Sequence, residues 1–122
     1  MVRIINKPSI IEAAGTGGKV IKEYIGRVNS ETSGVSIAHM ISPEGWEEPG
    51  QCPEFDEYTV VLKGSVQVKT NKELHVIKEG QGIITGKGEW VQYSTPFKGG
   101  AEYIAVCLPA FSPEIVHRDQ NS

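Results

Sequence analysis

Along the chain, short runs of β-branched and aromatic residues alternate with clusters of glycine, proline and asparagine, and no long segment repeats apolar residues at helical spacing. Seven segments carry the strand pattern: Lys19 to Val28, Val35 to Ile41, Glu57 to Lys69, Leu74 to Lys78, Gly82 to Thr85, Glu89 to Ser94 and Glu102 to Leu108. So many short strands in 122 residues predict an all-β sandwich or barrel. Pro8 to Ala14 gives the one helical signal, with Ser9 as N-cap and Glu12 three residues on, and predicts a short N-terminal helix or turn. The polar stretch 117–122 reads as a flexible tail. With no repeat and no linker, residues 1–122 read as one domain.

Successive strand residues point to opposite sides, so alternation sorts side chains by face. One face of the segment starting at Glu57 carries Glu57, Thr59 and Val61, and the other carries Tyr58, Val60 and Leu62. Either Glu57 lines a cavity inside a barrel, or it is an exposed residue at the start of its strand beside Glu54 and Asp56. In the last strand Tyr103, Ala105 and Cys107 oppose Ile104, Val106 and Leu108. His39 alternates with Ile37 and Ile41, which leaves open whether it faces the interior.

Composition narrows the function classes. A formal net charge of −3, with no Lys/Arg run longer than one residue, argues against nucleic-acid binding. No apolar stretch approaches the roughly 18 residues of a membrane span, and no signal-peptide pattern opens the chain, so a cytoplasmic protein without a membrane partner is expected. The two cysteines, Cys52 and Cys107, form no C-x-x-C pair and read as reduced thiols, Cys107 as buried packing. The three histidines, His39, His75 and His117, are dispersed and make no local metal motif, His75 and His117 being most simply exposed.

Five landmarks carry a family resemblance. Gly45, Glu57 and Gly64, then Gly80 and Gly88, fall in register on the two motifs G-x5-H-x-H-x3-E-x6-G and G-x5-P-x-G-x2-H-x3-N, with 15 residues between Gly64 and Gly80. Over a core of about residues 35–109 the chain resembles the cupins, specifically a small cupin-2-like member. The resemblance implies a small RmlC-like jelly-roll β-barrel with an internal ligand cavity, commonly assembled as a homodimer through a sheet edge. The metal chemistry is degenerate. The histidine positions of the first motif hold Gln51 and Pro53, that of the second holds Val91, and only the carboxylate position is kept, as Glu57; Gly86 and Thr95 replace the second motif's proline and asparagine.

A transition metal needs three or four imidazole, carboxylate or thiolate donors, which this set lacks, so no cofactor is expected. The expected function is binding of a small organic molecule in the barrel, with Glu57 as a catalytic acid–base group of isomerase, epimerase or lyase type. Gln51, Thr59, Val91, Tyr93, Tyr103 and His39 are the expected ligand-binding residues. Gln51 and Glu57 otherwise serve only to hydrogen-bond each other or loop amides. Two alternatives stand: a metal-dependent oxygenase or sugar-acid isomerase with a divalent metal held by Glu57, His39 and Gln51, and a non-catalytic structural or regulatory dimer. Trp46 is expected to cover the barrel mouth or pack in the core, Trp90 to pack between sheets or in a subunit contact, and Glu47 and Glu48 to be solvated loop charges.

Overall fold

A computed structural model describes residues 2–120. Among the described residues nine strands form: β1 (Ser9–Ile11), β2 (Val20–Ile25), β3 (Ser36–Ser42), β4 (Trp46–Glu47), β5 (Asp56–Thr70), β6 (Leu74–Lys78), β7 (Gly82–Thr85), β8 (Val91–Thr95) and β9 (Ala101–Leu108). One helical turn, α1 (Pro113–Val116), follows. Every pairing is antiparallel. One sheet runs β1-β2-β3-β9-β5-β7, and the second is built from β4, β8, β5 and β6.

β5 belongs to both sheets, and that turns a flat sheet into a curled barrel. Its first part pairs β9 and β7, and from Ser65 onward it pairs β6, with β8 joining at Gln67. The changeover is marked by a register shift between Val61 and Lys63 and by Gly64 at φ +73. A side chain at Gly64 would place its Cβ 2.1 Å from the Gly100 carbonyl oxygen, so both conformation and space require glycine there.

Alternation fills the interior. Ala101, Tyr103, Ala105 and Cys107 of β9 are buried, while their neighbours turn outward. Trp46, Val61, Val66, Val68, Val91 and Tyr93 pack with Ala101 and Tyr103 in the larger core cluster. Burying each such apolar side chain stabilises the fold by about 1.5–3 kcal/mol before entropy is counted. A second cluster joins Phe55 and Cys107 to Val116, with Phe111 and Ile115 packed against it.

The two chain ends depart from expectation. The segment predicted as an N-terminal helix holds strand β1, with Ser9 opposite Glu23 and Ile11 opposite Ile21. A one-turn capping pattern is weak beside a free strand edge that satisfies the same backbone groups. The helix lies at the other end, where Ser112 caps α1 by accepting from the Glu114 amide at 3.2 Å and Pro113 opens the first turn. The expected flexible tail is docked through Asp119: Cys52 donates to the His117 carbonyl at 3.1 Å, Glu54 to that of Ile115 at 2.8 Å, and Asp119 donates to that of Gly50 at 2.7 Å. The rest of that expectation, at Asn121 and Ser122, lies outside the described residues. No helix among the described residues is long and apolar enough to cross a membrane.

Candidate functional site

A cavity of about 60 Å³ lies inside the barrel, walled by strands β2, β3, β5, β8 and β9 and closed by the C-terminal segment. One side is apolar, with Ile21, Ala38, Met40, Phe55, Ala105 and Phe111. Glu48, Gln51, Glu57, Tyr93, Lys19 and Arg118 bring polar and charged groups to the same space.

Glu57 reaches it from β5, where the backbone is fixed between Thr85 of β7 and Cys107 of β9. It lines the cavity, the first of the two readings that alternation leaves open. Burial raises the pKa of its carboxyl, and the Lys19 ammonium and the neighbouring Tyr93 hydroxyl pull it back down. Tyr93 shares a 2.9 Å hydrogen bond with Thr85, and burial, with Glu57 close by, lifts its phenol well above the ordinary value.

Glu48 overturns its reading as a solvated loop charge. It follows β4, its amide donates to the Tyr93 carbonyl at 3.3 Å, and its own carbonyl accepts from the Gln92 side chain at 2.9 Å. These tethers hold the side chain inward at 8% exposure, while Glu47 remains on the surface. Burial pushes the Glu48 carboxyl up to about 7, with Lys19 lowering it, Glu57 raising it and Arg118 and the Tyr93 backbone lowering it. Its Oε2 is buried with no hydrogen-bond partner.

Lys19, just before β2, supplies the cation. Its Nζ lies 4.0 Å from the Trp46 ring centroid and 5.3 Å from that of Tyr103. Lys19 enters none of the ion pairs among the described residues. Trp46 is buried, donating its Nε1 to the Ala14 carbonyl at 3.1 Å, so it forms the platform under Lys19. The Tyr103 hydroxyl is held by Ser42 at 2.9 Å, and burial raises its pKa. Burial also raises the Cys107 thiol, which is therefore a neutral wall group.

Arg118 arrives with the C-terminal strap. Residues Gln51 and Val91 exchange backbone hydrogen bonds at 2.9 Å, and Arg118 bridges Gln51 on its other side. The Arg118 guanidinium lies 5.6 Å from the Phe111 ring centroid, and its Nε is buried without a partner. His117, at the left-handed residue ending α1, turns outward to Glu54. Trp90 packs on Gly50 and donates to Asp119 at 2.9 Å, so its role within the chain is to fasten this strap.

Among the expected ligand-binding residues, Gln51, Tyr93 and Tyr103 meet Glu57 at the cavity. Thr59 and Val91 point inward but are spent in packing, at 2% and 1% exposure, behind the cavity wall. His39 is corrected: its neighbours Ala38 and Met40 line the cavity, and its own ring faces the outer side, 3.1 Å from Glu102. The set Glu57, His39 and Gln51 is therefore not brought together. Among the described residues no group of three His, Cys, Asp or Glu is placed to hold a metal ion. Of the three glutamates that line the cavity, Glu23 is committed to the Val28 and Asn29 amides, and the remaining two carboxylates with one amide fall short of the imidazole, carboxylate or thiolate donors a resident transition metal takes.

The sequence reading missed Glu48, Lys19 and Arg118. Lys19 and Glu48 stand just beyond a regular strand and Arg118 follows α1, where period-two alternation has no reach. A two-residue strand such as β4 gives no periodicity to read.

No protein-family profile matches the chain. It is 37% identical over 102 residues to the endoribonuclease YbeY of Myxococcus xanthus, a match covering 84% of this chain and 35% of that protein. The chain thus spans about a third of the curated relative's length. Among solved structures, the polyketide cyclase RemF from Streptomyces resistomycificus superposes with a TM-score of 0.75 at 16% identity, covering 100% of this chain and 87% of that one. An RmlC-like cupin from Shewanella frigidimarina gives 0.72 at 13% identity over 93% and 94% of the two chains. Clostridium difficile EutQ gives 0.63 at 22% identity over 75% and 63%. These likenesses show the fold. The chain is a small jelly-roll barrel of the cupin type.

Proposed function

We propose that this barrel binds a small polar organic molecule without a resident metal, and that Glu57 acts on it as an acid–base group. The observation that carries this is the meeting at one cavity of three side chains, Glu48, Gln51 and Arg118, each of which keeps a buried polar atom (Oε2, Oε1 and Nε) without a hydrogen-bond partner. Leaving such atoms unpaired costs about 1–3 kcal/mol each, so a ligand that pairs them gains what the empty fold forgoes. Two acceptors and one donor, with the Lys19 ammonium beside them, call for a ligand carrying both hydrogen-bond donors and an oxygen acceptor. The apolar wall sets its size to a few heavy atoms.

A native mass spectrum of protein purified without chelator tests the reading. A bound organic mass and less than about a tenth of an equivalent of metal are expected, since a true three- or four-donor site retains its metal. Stoichiometric Fe, Mn, Ni, Cu or Zn would overturn it. Glu57→Gln should release the organic ligand or abolish any activity, and a variant indistinguishable from wild type in both would remove Glu57 from the function.

RNA is not proposed as the substrate, although the relative from Myxococcus xanthus is named as an endoribonuclease. The net charge of −3 and the small, mostly apolar cavity argue against a site for a phosphate backbone. A homodimer is proposed on the outer face of the larger sheet, where Tyr58, Val60, Leu62, Ile84 and Leu108 are all exposed. Sedimentation velocity giving only a 13.3 kDa species would refute it. The exposed free thiol of Cys52 favours the reducing cytoplasm as the location.

A further inference from the structure

We propose that Glu48 and Glu57 form a two-carboxylate proton relay that epimerises a small carbonyl compound bearing an α-hydrogen, with Lys19 holding the enolate oxygen. The inference rests on the reading of the cavity as a small-molecule acid–base site and names its substrate class.

Three requirements of the chemistry are met by separate groups. Moving a proton off carbon needs a carboxylate base, and returning it at the other face needs a second group that is protonated at that moment. Glu57 enters from β5 and Glu48 from the end of β4, so the two come from different elements of the barrel and line the same cavity. Glu48 lines the cavity and its Oε2 is committed to no hydrogen bond within the protein. The charge that develops on the carbonyl oxygen needs a fixed electrophile in a dry site. Lys19, seated on Trp46 and beside Tyr103 and bound in no ion pair, is that electrophile.

The step balances without oxidant or reductant. One ionised carboxylate takes the α-proton, the C–H pair becomes the carbon–carbon double bond of the enolate, and the carbonyl π pair moves to the oxygen facing Lys19. The enolate carbon then takes the proton of the second carboxyl on its opposite face. The first carboxyl ends protonated and the second ionised, so the enzyme is ready for the reverse reaction and resets by exchange with water. Burial raises both carboxyls, and the Glu57 charge raises Glu48 further, which favours the protonated form of one of the pair. The charged and titratable groups facing Glu48 are Lys19, Glu57, Arg118, Tyr93 and Tyr103, and Glu23 and Cys107 line the same cavity.

The test follows proton NMR of (R)-acetoin and D-glyceraldehyde at millimolar concentration in D2O, with the full chain. Wild type is expected to wash deuterium into the α-position and to lose the substrate's handedness, with a bell-shaped pH profile having one limb near pH 7. Glu48→Gln and Glu57→Gln should each slow exchange by roughly 100-fold or more, and Lys19→Met by a comparable factor. Glu47→Gln, on the exposed neighbour, should leave the rate unchanged, and circular dichroism of each variant checks folding. Wild-type exchange no faster than buffer for both probes overturns the relay. If protein amide shifts still report binding of the probes in that case, the cavity reading survives and only the relay falls. Exchange that persists in Glu48→Gln with its profile intact also overturns the proposal.

Discussion

Glu48 ties the stability of the fold to pH with a calculable sign. Its carboxyl rises from 4.5 to about 7 on folding because burial disfavours the charge. The folded state therefore binds this proton more tightly than the unfolded chain, and stability falls wherever the folded state holds more protons. The stabilisation is fully present below pH 4.5 and is lost as pH rises to about 7. At about 1.36 kcal/mol per tenfold change in proton affinity, the loss amounts to about 3 kcal/mol. Glu48 is only 8% exposed, so solvent screening takes little from that figure. Glu48→Gln keeps the shape and removes the titration. Urea unfolding of both proteins at pH 4.5 and pH 8 should show wild type losing about 3 kcal/mol more than the variant, a difference of roughly 1–3 M in midpoint at ordinary urea slopes. Other groups are common to both proteins. Parallel pH curves agreeing within about 1 kcal/mol would refute the burial of a titrating carboxyl at this position.

Three further outcomes are expected. Lys19→Met removes the strongest influence lowering the Glu48 and Glu57 carboxyls, so their titration, followed by carbon-13 NMR of the glutamate carboxyls, should move to higher pH; an unchanged titration would place the ammonium elsewhere. Thr59→Val exchanges a buried, unpartnered hydroxyl for a methyl of the same shape, so unfolding free energy should stay level or rise by up to about 1 kcal/mol, and a loss greater than that would mean the hydroxyl has a partner. Gly50→Ala places a Cβ 2.2 Å from the Trp90 ring, so the indole must move and its bond to Asp119 break; thermal unfolding should reveal a loss of about 1–3 kcal/mol, with a shift in tryptophan emission.

The strands were legible because alternation and turn residues are local signals. Period two needs only neighbours, so it groups Glu57 with Thr59 and Val61 in β5 and Tyr103 with Ala105 and Cys107 in β9, and the folded sheet decides that these groups turn inward. His39 shows the limit of the same signal. Alternation groups it with Ile37 and Ile41, but both faces of β3 carry apolar residues, and only the pairing partners decide which one meets the cavity. At the N-terminus a local capping pattern lost to an open strand edge, a contact between residues ten or more apart in the chain.

The sequence by itself determined an all-β barrel of cupin type and the residues that stand at the positions the resemblance marks, Gln51, Pro53, Glu57 and Val91. Tertiary structure alone decided the rest of the cavity. Lys19, Glu48 and Arg118 are distant in sequence and each lies outside a regular strand interior, so no spacing announces them. Their meeting depends on backbone bonds between Glu48 and Tyr93 and between the C-terminal strap and residues 50–54. The physical reason is that a carboxylate's chemistry is set by its surroundings. A glutamate beside glutamate in a proline-rich loop reads as solvated, and becomes a group titrating near neutrality only when the barrel removes its water.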